Sequence, residues 1–192
     1  MINRSAGACL VALAALAPAC GLTPESRSPG VVPPETSVQG RWWTWAYSAD
    51  DDASPVQDTT GEFCDHAQPD DLWFLAGTYG GTVRRSCRIP AGRPLAFPLV
   101  NLLGDAADCA TFMATAKGKA VLDGKPVEPE RLDEAGVTVT DSAGTGTTHA
   151  CGLWVRLAPL PTGPHTLTIR GSSGTFRTGV DYRLVVEPAP QA

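Results

Sequence analysis

Residues 72–100, LWFLAGTYGGTVRRSCRIPAGRPLAFPLV, decide the fold of this chain. Three segments of strand character, LWFLAG (72–77), TVRRSCRI (82–89) and PLAFPLV (94–100), are parted by the turn signals Gly80-Gly81 and Ala91-Gly92. The same rhythm continues in KAVLDGKPV (119–127), GVTVT (136–140), GLWVRLAP (152–159), HTLTIRG (165–171) and DYRLVVEP (181–188). Asp123-Gly124, flanked by apolar residues, is the clearest hairpin signal, since its two residues tolerate the positive φ of a tight turn. Only DAADCATFMATAKG (105–118) has helical spacing, through Ala107, Ala110 and Ala114, with Gly118 placed to end the helix. Short strands with a turn every dozen residues predict an all-β fold: an antiparallel β-sandwich, Ig-like or jelly-roll-like, with one short helical insertion. No repeat of fixed period is visible.

The N-terminus carries an export signal: Arg4, the apolar run ACLVALAALAPA, then a small-residue cluster ending at Cys20-Gly21. The run is shorter than the roughly 20 residues a bilayer span needs. Ala17-Pro18-Ala19 suits an ordinary signal peptidase, whereas Leu16 to Cys20 resembles a lipoprotein box. Cysteine parity favours the second. Of six cysteines, Cys9 leaves with residues 1–19, and five remain. Lipidation of Cys20 leaves Cys64, Cys87, Cys109 and Cys151 to close two disulfides in an oxidising compartment. Four cysteines permit three pairings, and Cys64–Cys87 with Cys109–Cys151 joins segments expected to be neighbours. Zinc would want a C-x-x-C pair and spaced histidines, which His66, His149 and His165 do not supply.

Residues 20–39 then read as the lipidated cysteine and a Pro/Ser-rich tether, and residues 40–192 as the β-sandwich domain. The expected address is the bacterial cell envelope, as a membrane-anchored lipoprotein, with a soluble secreted or periplasmic chain as the alternative. The chain carries 15 Lys and Arg against 20 Asp and Glu, a net charge of −5. Arg84, Arg85 and Arg88 are its densest basic group and read as a solvated strand face, so no nucleic-acid partner is expected.

RWWTWAYSADDD (41–52) poses the functional question. As a strand it places Trp43, Trp45 and Tyr47 on one face and Trp42 on the other. Trp43 and Trp45 then read as core, and Trp42 as the better exposed contact; Trp42, Trp43, Asn101 and Asp105 are the expected binding residues. Asp50, Asp52 and Asp58 are candidate calcium ligands without the regular D-x-D-x-D-G spacing, and a solvated acidic turn is the plainer reading. No other cofactor is expected.

Catalytic motifs are missing: there is no G-x-S-x-G, and GTYGG lacks a P-loop lysine. His66 with Asp65 or Asp71 is the nearest approach to an acid–base pair. Two readings follow. The first is a non-catalytic envelope module that binds a glycan, wall polymer or protein through loops. The second is a metal-dependent or carboxylate-based hydrolase on a jelly-roll-like scaffold, with His66, Asp65, Asp71, Asn101 and Asp105 meeting in one pocket. The first is preferred because no histidine or glutamate sits in a catalytic setting.

The succession RWWTW, SPVQDTTGEFC, LWFLAGTYGGTVRRSCRIPAGRPLAFPLVN and GLWVRLAPLPTGPHTLTIRG also resembles an uncharacterised family of exported bacterial proteins, over about residues 41–187. The resemblance implies an exported β-rich domain and brings no catalytic residue with it.

Overall fold

PLAFPLV is buried at every position from Leu95 to Val100, which a strand shows only when both of its faces are covered. The computed structural model, which describes residues 37–188, shows what covers them. In chain order the elements are α1 (Val38–Ala46), β1 (Trp73–Phe74), β2 (Gly81–Pro90), β3 (Leu95–Gly104), α2 (Ala106–Thr115), β4 (Lys117–Leu122), β5 (Lys125–Val127), β6 (Glu130–Asp141), β7 (Gly144–Leu157), β8 (Gly163–Ser173) and β9 (Phe176–Glu187). Strands β1-β3-β7-β6 form one sheet and β2-β9-β8-β4-β5 the other. The two sheets close on a core of Trp73, Leu75, Leu95, Phe97, Leu99, Val155, Ile89, Leu167, Ile169, Val180, Tyr182 and Leu184. Helix α1 lies on the other face of the four-stranded sheet, over Phe74, Ala96, Val137, Val139, Ala150 and Trp154. That sheet is therefore the middle of three layers.

The expected sandwich with one helical insertion is present, and two details differ from expectation. First, two strand pairings are parallel rather than antiparallel, β1 with β3 and β2 with β9. Strand β2 lies in the opposite sheet, so the chain turns twice between β1 and β3 and returns in its original direction. Second, RWWTWAY is a helix. Its spacing fits both periods, but Gln39, Trp42, Trp43 and Ala46 fall at i, i+3, i+4 and i+7, and all four are buried. As a helix the segment buries all three tryptophans on the sheet; as a strand it would expose one face.

Smaller shifts have local causes. LWFLAG pairs as a strand only at Trp73–Phe74, because the Leu75 carbonyl accepts from Trp42 Nε1 and the Ala76 carbonyl from Arg85 and Tyr182. Helix α2 stops at Thr115, and Gly118 belongs to β4, not to the helix end. There Gly118 and Gly171 receive the bulge of β3 at Leu99: a Cβ on Gly171 would stand 1.8 Å from the Leu99 carbonyl oxygen.

The disulfides are Cys64–Cys87 and Cys109–Cys151, with Cα atoms 5.7 and 5.8 Å apart. The first ties the loop after α1 to β2, and the second ties α2 to β7. Two disulfides are the chemistry of an oxidising compartment. Among the described residues no helix is long and apolar enough to cross a membrane. The signal segment, Cys20 and all but the last three residues of the expected tether lie outside the described residues; α1 begins at Val38, two residues ahead of the expected domain start.

Asp123 and Gly124 both adopt positive φ, forming the tight β4–β5 turn that Asp-Gly predicts. His165 Nδ1 lies 2.6 Å from Asp123 Oδ2 and its Nε2 2.9 Å from the Pro161 carbonyl oxygen. Two acceptors require two N–H donors, so the doubly protonated ring fits the site. The hydrogen bond to Asp123 raises the His165 pKa above its usual value and lowers that of Asp123. A raised folded pKa stabilises fully below the unfolded imidazole pKa, and that stability is lost as pH rises through the folded value. Melting from about pH 5 to about pH 9 should therefore show a loss on the alkaline side that His165→Ala abolishes; an unchanged profile in the variant would remove this role.

Candidate ligand-binding groove

The tryptophans of α1 are core residues. Trp42 is 2% exposed and packs edge-on to Trp43, Trp45 and Trp154 at centroid distances of 5.0, 6.0 and 6.0 Å. Trp45 Nε1 donates to the His66 carbonyl oxygen at 2.8 Å, fastening the helix to the following loop. Trp42 and Trp43 are therefore no surface platform, which corrects the expectation of Trp42 as an exposed contact.

The residues that follow them do reach a surface. Helix α1 ends at Ala46, where Ser48 Oγ donates to the Trp45 carbonyl oxygen at 2.7 Å. Beyond it opens a groove of about 610 Å³ whose walls include Tyr47, Asp50, Tyr79 and Asp141 together with Thr44, Ser48, Ser54, Thr140 and Ser142. Tyr79, 57% exposed, enters from the glycine-bounded loop after β1. Asp141 and Ser142 come from the β6–β7 turn, where Asp141 Oδ1 accepts from the Ala143 amide at 2.8 Å. Thr44 Oγ1 accepts from the Thr140 amide at 3.0 Å, joining α1 to that same strand. A second hollow of about 320 Å³ along α1 shares Thr44, Ser48 and Thr140 with the first and continues toward Trp45, Pro69 and Phe74. Together they make a trough along the helix.

Its electrostatics are one-sided. No Lys or Arg lines the larger groove, the C-terminal end of α1 forms part of its wall through Ala46, Tyr47 and Ser48, and Asp50 and Asp141 border it. Burial, and then the Asp141 carboxylate, push the Tyr47 phenol above its usual pKa, so it remains a neutral hydrogen-bonding group.

The other expected site residues are dispersed. Asp71 forms a bidentate pair with Arg41 at 3.0 and 2.5 Å, which holds its carboxyl below the usual range. Asp65 is exposed, and among the described residues no hydrogen bond or ion pair joins His66 to Asp65 or Asp71. Asp105 caps α2, accepting from the Asp108 amide at 2.7 Å in a reciprocal capping box. Asn101 lies on β3 and lines a cavity of about 60 Å³ with Trp42 and Trp43, so three of the four expected binding residues meet there.

Asp58, one of the three candidate calcium ligands, has its carboxylate engaged within its own loop. Its carboxylate accepts from the Thr60, Gly61 and Phe63 amides at 2.7, 2.9 and 3.1 Å and from the Thr60 hydroxyl at 3.0 Å. Burial opposes ionisation, and these donors overcome it, holding Asp58 below the usual carboxylate range. Asp58 is a loop-building residue. Among the described residues no three His, Cys, Asp or Glu side chains gather as a metal site.

Tyr47, Tyr79 and Asp141 were not among the expected binding residues, and only Asp50 was singled out, as a metal ligand. One signal was available: Tyr79 is a large ring inside GTYGG, where no neighbouring apolar residue calls for it. Scans against family models, curated proteins and solved structures return no match for the chain.

Proposed function

We propose that this chain is an exported cell-envelope module, anchored through lipid on Cys20, whose β-sandwich binds a neutral glycan along the α1 trough without transforming it. One observation carries the reading: two tyrosines, two aspartates and a row of hydroxyls line the larger hollow of the trough with no Lys or Arg among them, while Arg41 in the smaller hollow is paired with Asp71. Aromatic faces stack on the C–H faces of sugar rings, and carboxylates and hydroxyls accept and donate to sugar hydroxyls. An anionic polymer would meet Asp50 and Asp141 and no cation in the larger hollow.

Binding is favoured over hydrolysis because the expected catalytic set is spread over separate structural tasks: ion pair, helix cap and core. Asp141, meanwhile, spends one oxygen on its own turn. The test is a titration of soluble residues 21–192 with neutral oligosaccharides of glucose, mannose, galactose and N-acetylglucosamine. Tyr79→Ala should weaken binding of the preferred sugar about tenfold, the value of roughly 1.4 kcal/mol, while leaving thermal stability unchanged. Retained affinity in Tyr79→Ala, or cleavage of the oligosaccharide by the unaltered chain, would overturn the proposal.

A further inference from the structure

The face opposite α1 has the reverse character. On the five-stranded sheet, burial alternates along each strand, so every second side chain points outward. The outward positions include Arg84 and Arg88 on β2, Arg177 and Arg183 on β9, Arg170 on β8, and Lys117 and Lys119 on β4. Register brings them side by side: Lys119 is opposite Arg170, and Arg84 opposite Asp181. Seven of the chain's 15 Lys and Arg residues thus stand on one face, in a protein of net charge −5.

Only two carboxylates share those positions. Asp181 pairs with Arg170 at 2.6 Å, and Glu187 pairs with Arg88. Among the described residues no ion pair engages the other five cations. Edge protection accounts for Arg84 and Arg88 on the edge strand β2, and for Lys117 and Lys119, which lie beyond the part of β4 that β5 pairs, but not for Arg170, Arg177 and Arg183 on the interior strands β8 and β9. Mutual repulsion across the face opposes folding, so the presence of these arginines on the paired interior strands β8 and β9 points outside the chain. Thr82 and Arg170 close over Gly179, and beside them a hollow of about 370 Å³ is bordered by Lys117, Lys119, Arg170 and Arg177 with the hydroxyls of Thr82 and Ser172.

We infer that this face is a docking surface for an anionic phospholipid bilayer. Its cations are spread over four adjacent strands, about 15 Å across at the spacing of sheet strands, which matches a planar array of phosphates better than a single polymer chain. The corner hollow supplies ammonium, guanidinium and hydroxyl donors for one headgroup phosphate. Docked this way, the domain turns the α1 trough away from the membrane.

The test uses residues 21–192, which hold every strand and helix of the described residues and both disulfides and lack Cys20. The chain is sedimented with vesicles of phosphatidylcholine alone and of equimolar phosphatidylcholine and phosphatidylglycerol. Binding should occur only with the anionic vesicles, disappear in high salt and weaken about fivefold for each cation removed in Lys117→Ser with Arg177→Ser. A second pair, Lys119→Ser with Arg183→Ser, should behave alike, and serves if the first melts early. No binding, equal binding to both vesicles, or unaltered binding by folded variants would overturn the inference. Retention on soluble polyphosphate without retention on anionic vesicles would overturn it in favour of a linear polyanion.

Discussion

Trp42→Ala is expected to cost about 3–5 kcal/mol of stability, measured as a shift in the urea midpoint of residues 21–192. The side chain is 2% exposed, touches three other tryptophans, and donates to the Leu75 carbonyl oxygen at 3.0 Å. Its removal opens a void between α1 and the four-stranded sheet and leaves a buried carbonyl without that donor. Domains of this size are stable by only about 5–15 kcal/mol, so the variant should be marginal. Glycan affinity would fall with it, since α1 carries Thr44 and Tyr47 into the groove. A Trp42→Ala protein of unchanged midpoint that had lost only its ligand would make Trp42 a surface contact and contradict the helix packing.

The second large effect is expected at Arg85. This guanidinium is 2% exposed, and its Nε donates to the Asp58 carbonyl oxygen at 2.7 Å. Nη1 donates to the Ala76 and Gly77 carbonyls and to the Tyr182 hydroxyl, and Nη2 donates to the Val56 carbonyl. Burial raises the Tyr182 phenol pKa, so that group stays neutral and donates to Ala76 in turn. Arg85→Leu leaves four carbonyls and a hydroxyl without this donor inside the protein, at a cost of about 3–5 kcal/mol. Arg85→Lys keeps the charge but not the planar fork and should also destabilise strongly. The loosened segments, 54–58 and 76–77, lead to Ser54 and Tyr79 of the groove. Amide exchange at residues 56–63 should therefore rise well before global unfolding; uniform exchange would deny Arg85 this role.

Much of this architecture can be read along the chain, because it rests on local signals. Alternation in TVRRSCRI and HTLTIRG, the Asp123-Gly124 turn and the Asp105 start of α2 each appear where the residues place them. Segments of opposite sheets meet in space, however, and neither parallel pairing leaves a trace in local pattern. The α1 segment misleads because tryptophans at 42, 43 and 45 satisfy a period of two as readily as one of 3.6. Only the added Gln39 and Ala46 tip the balance toward a helix. Arg85 corrects the reading of Arg84, Arg85 and Arg88 as one solvated face: it is in phase with Val83, Cys87 and Ile89 and therefore points inward, and its five partners come from three distant segments that no local pattern joins. The groove is assembled from α1, the loop after it, the β1–β2 loop and the β6–β7 turn, which no spacing rule connects.

The most direct test of the α1 trough is amide shift mapping of labelled residues 21–192 titrated with the best-binding neutral oligosaccharide. Shifts confined to the trough, at Tyr47, Ser48, Asp50, Tyr79 and residues 140–142 and, along the smaller hollow, at Thr44 and Thr138, are the predicted result. Shifts on the outer face of β2, β9 and β8, or none at saturating sugar, would contradict it.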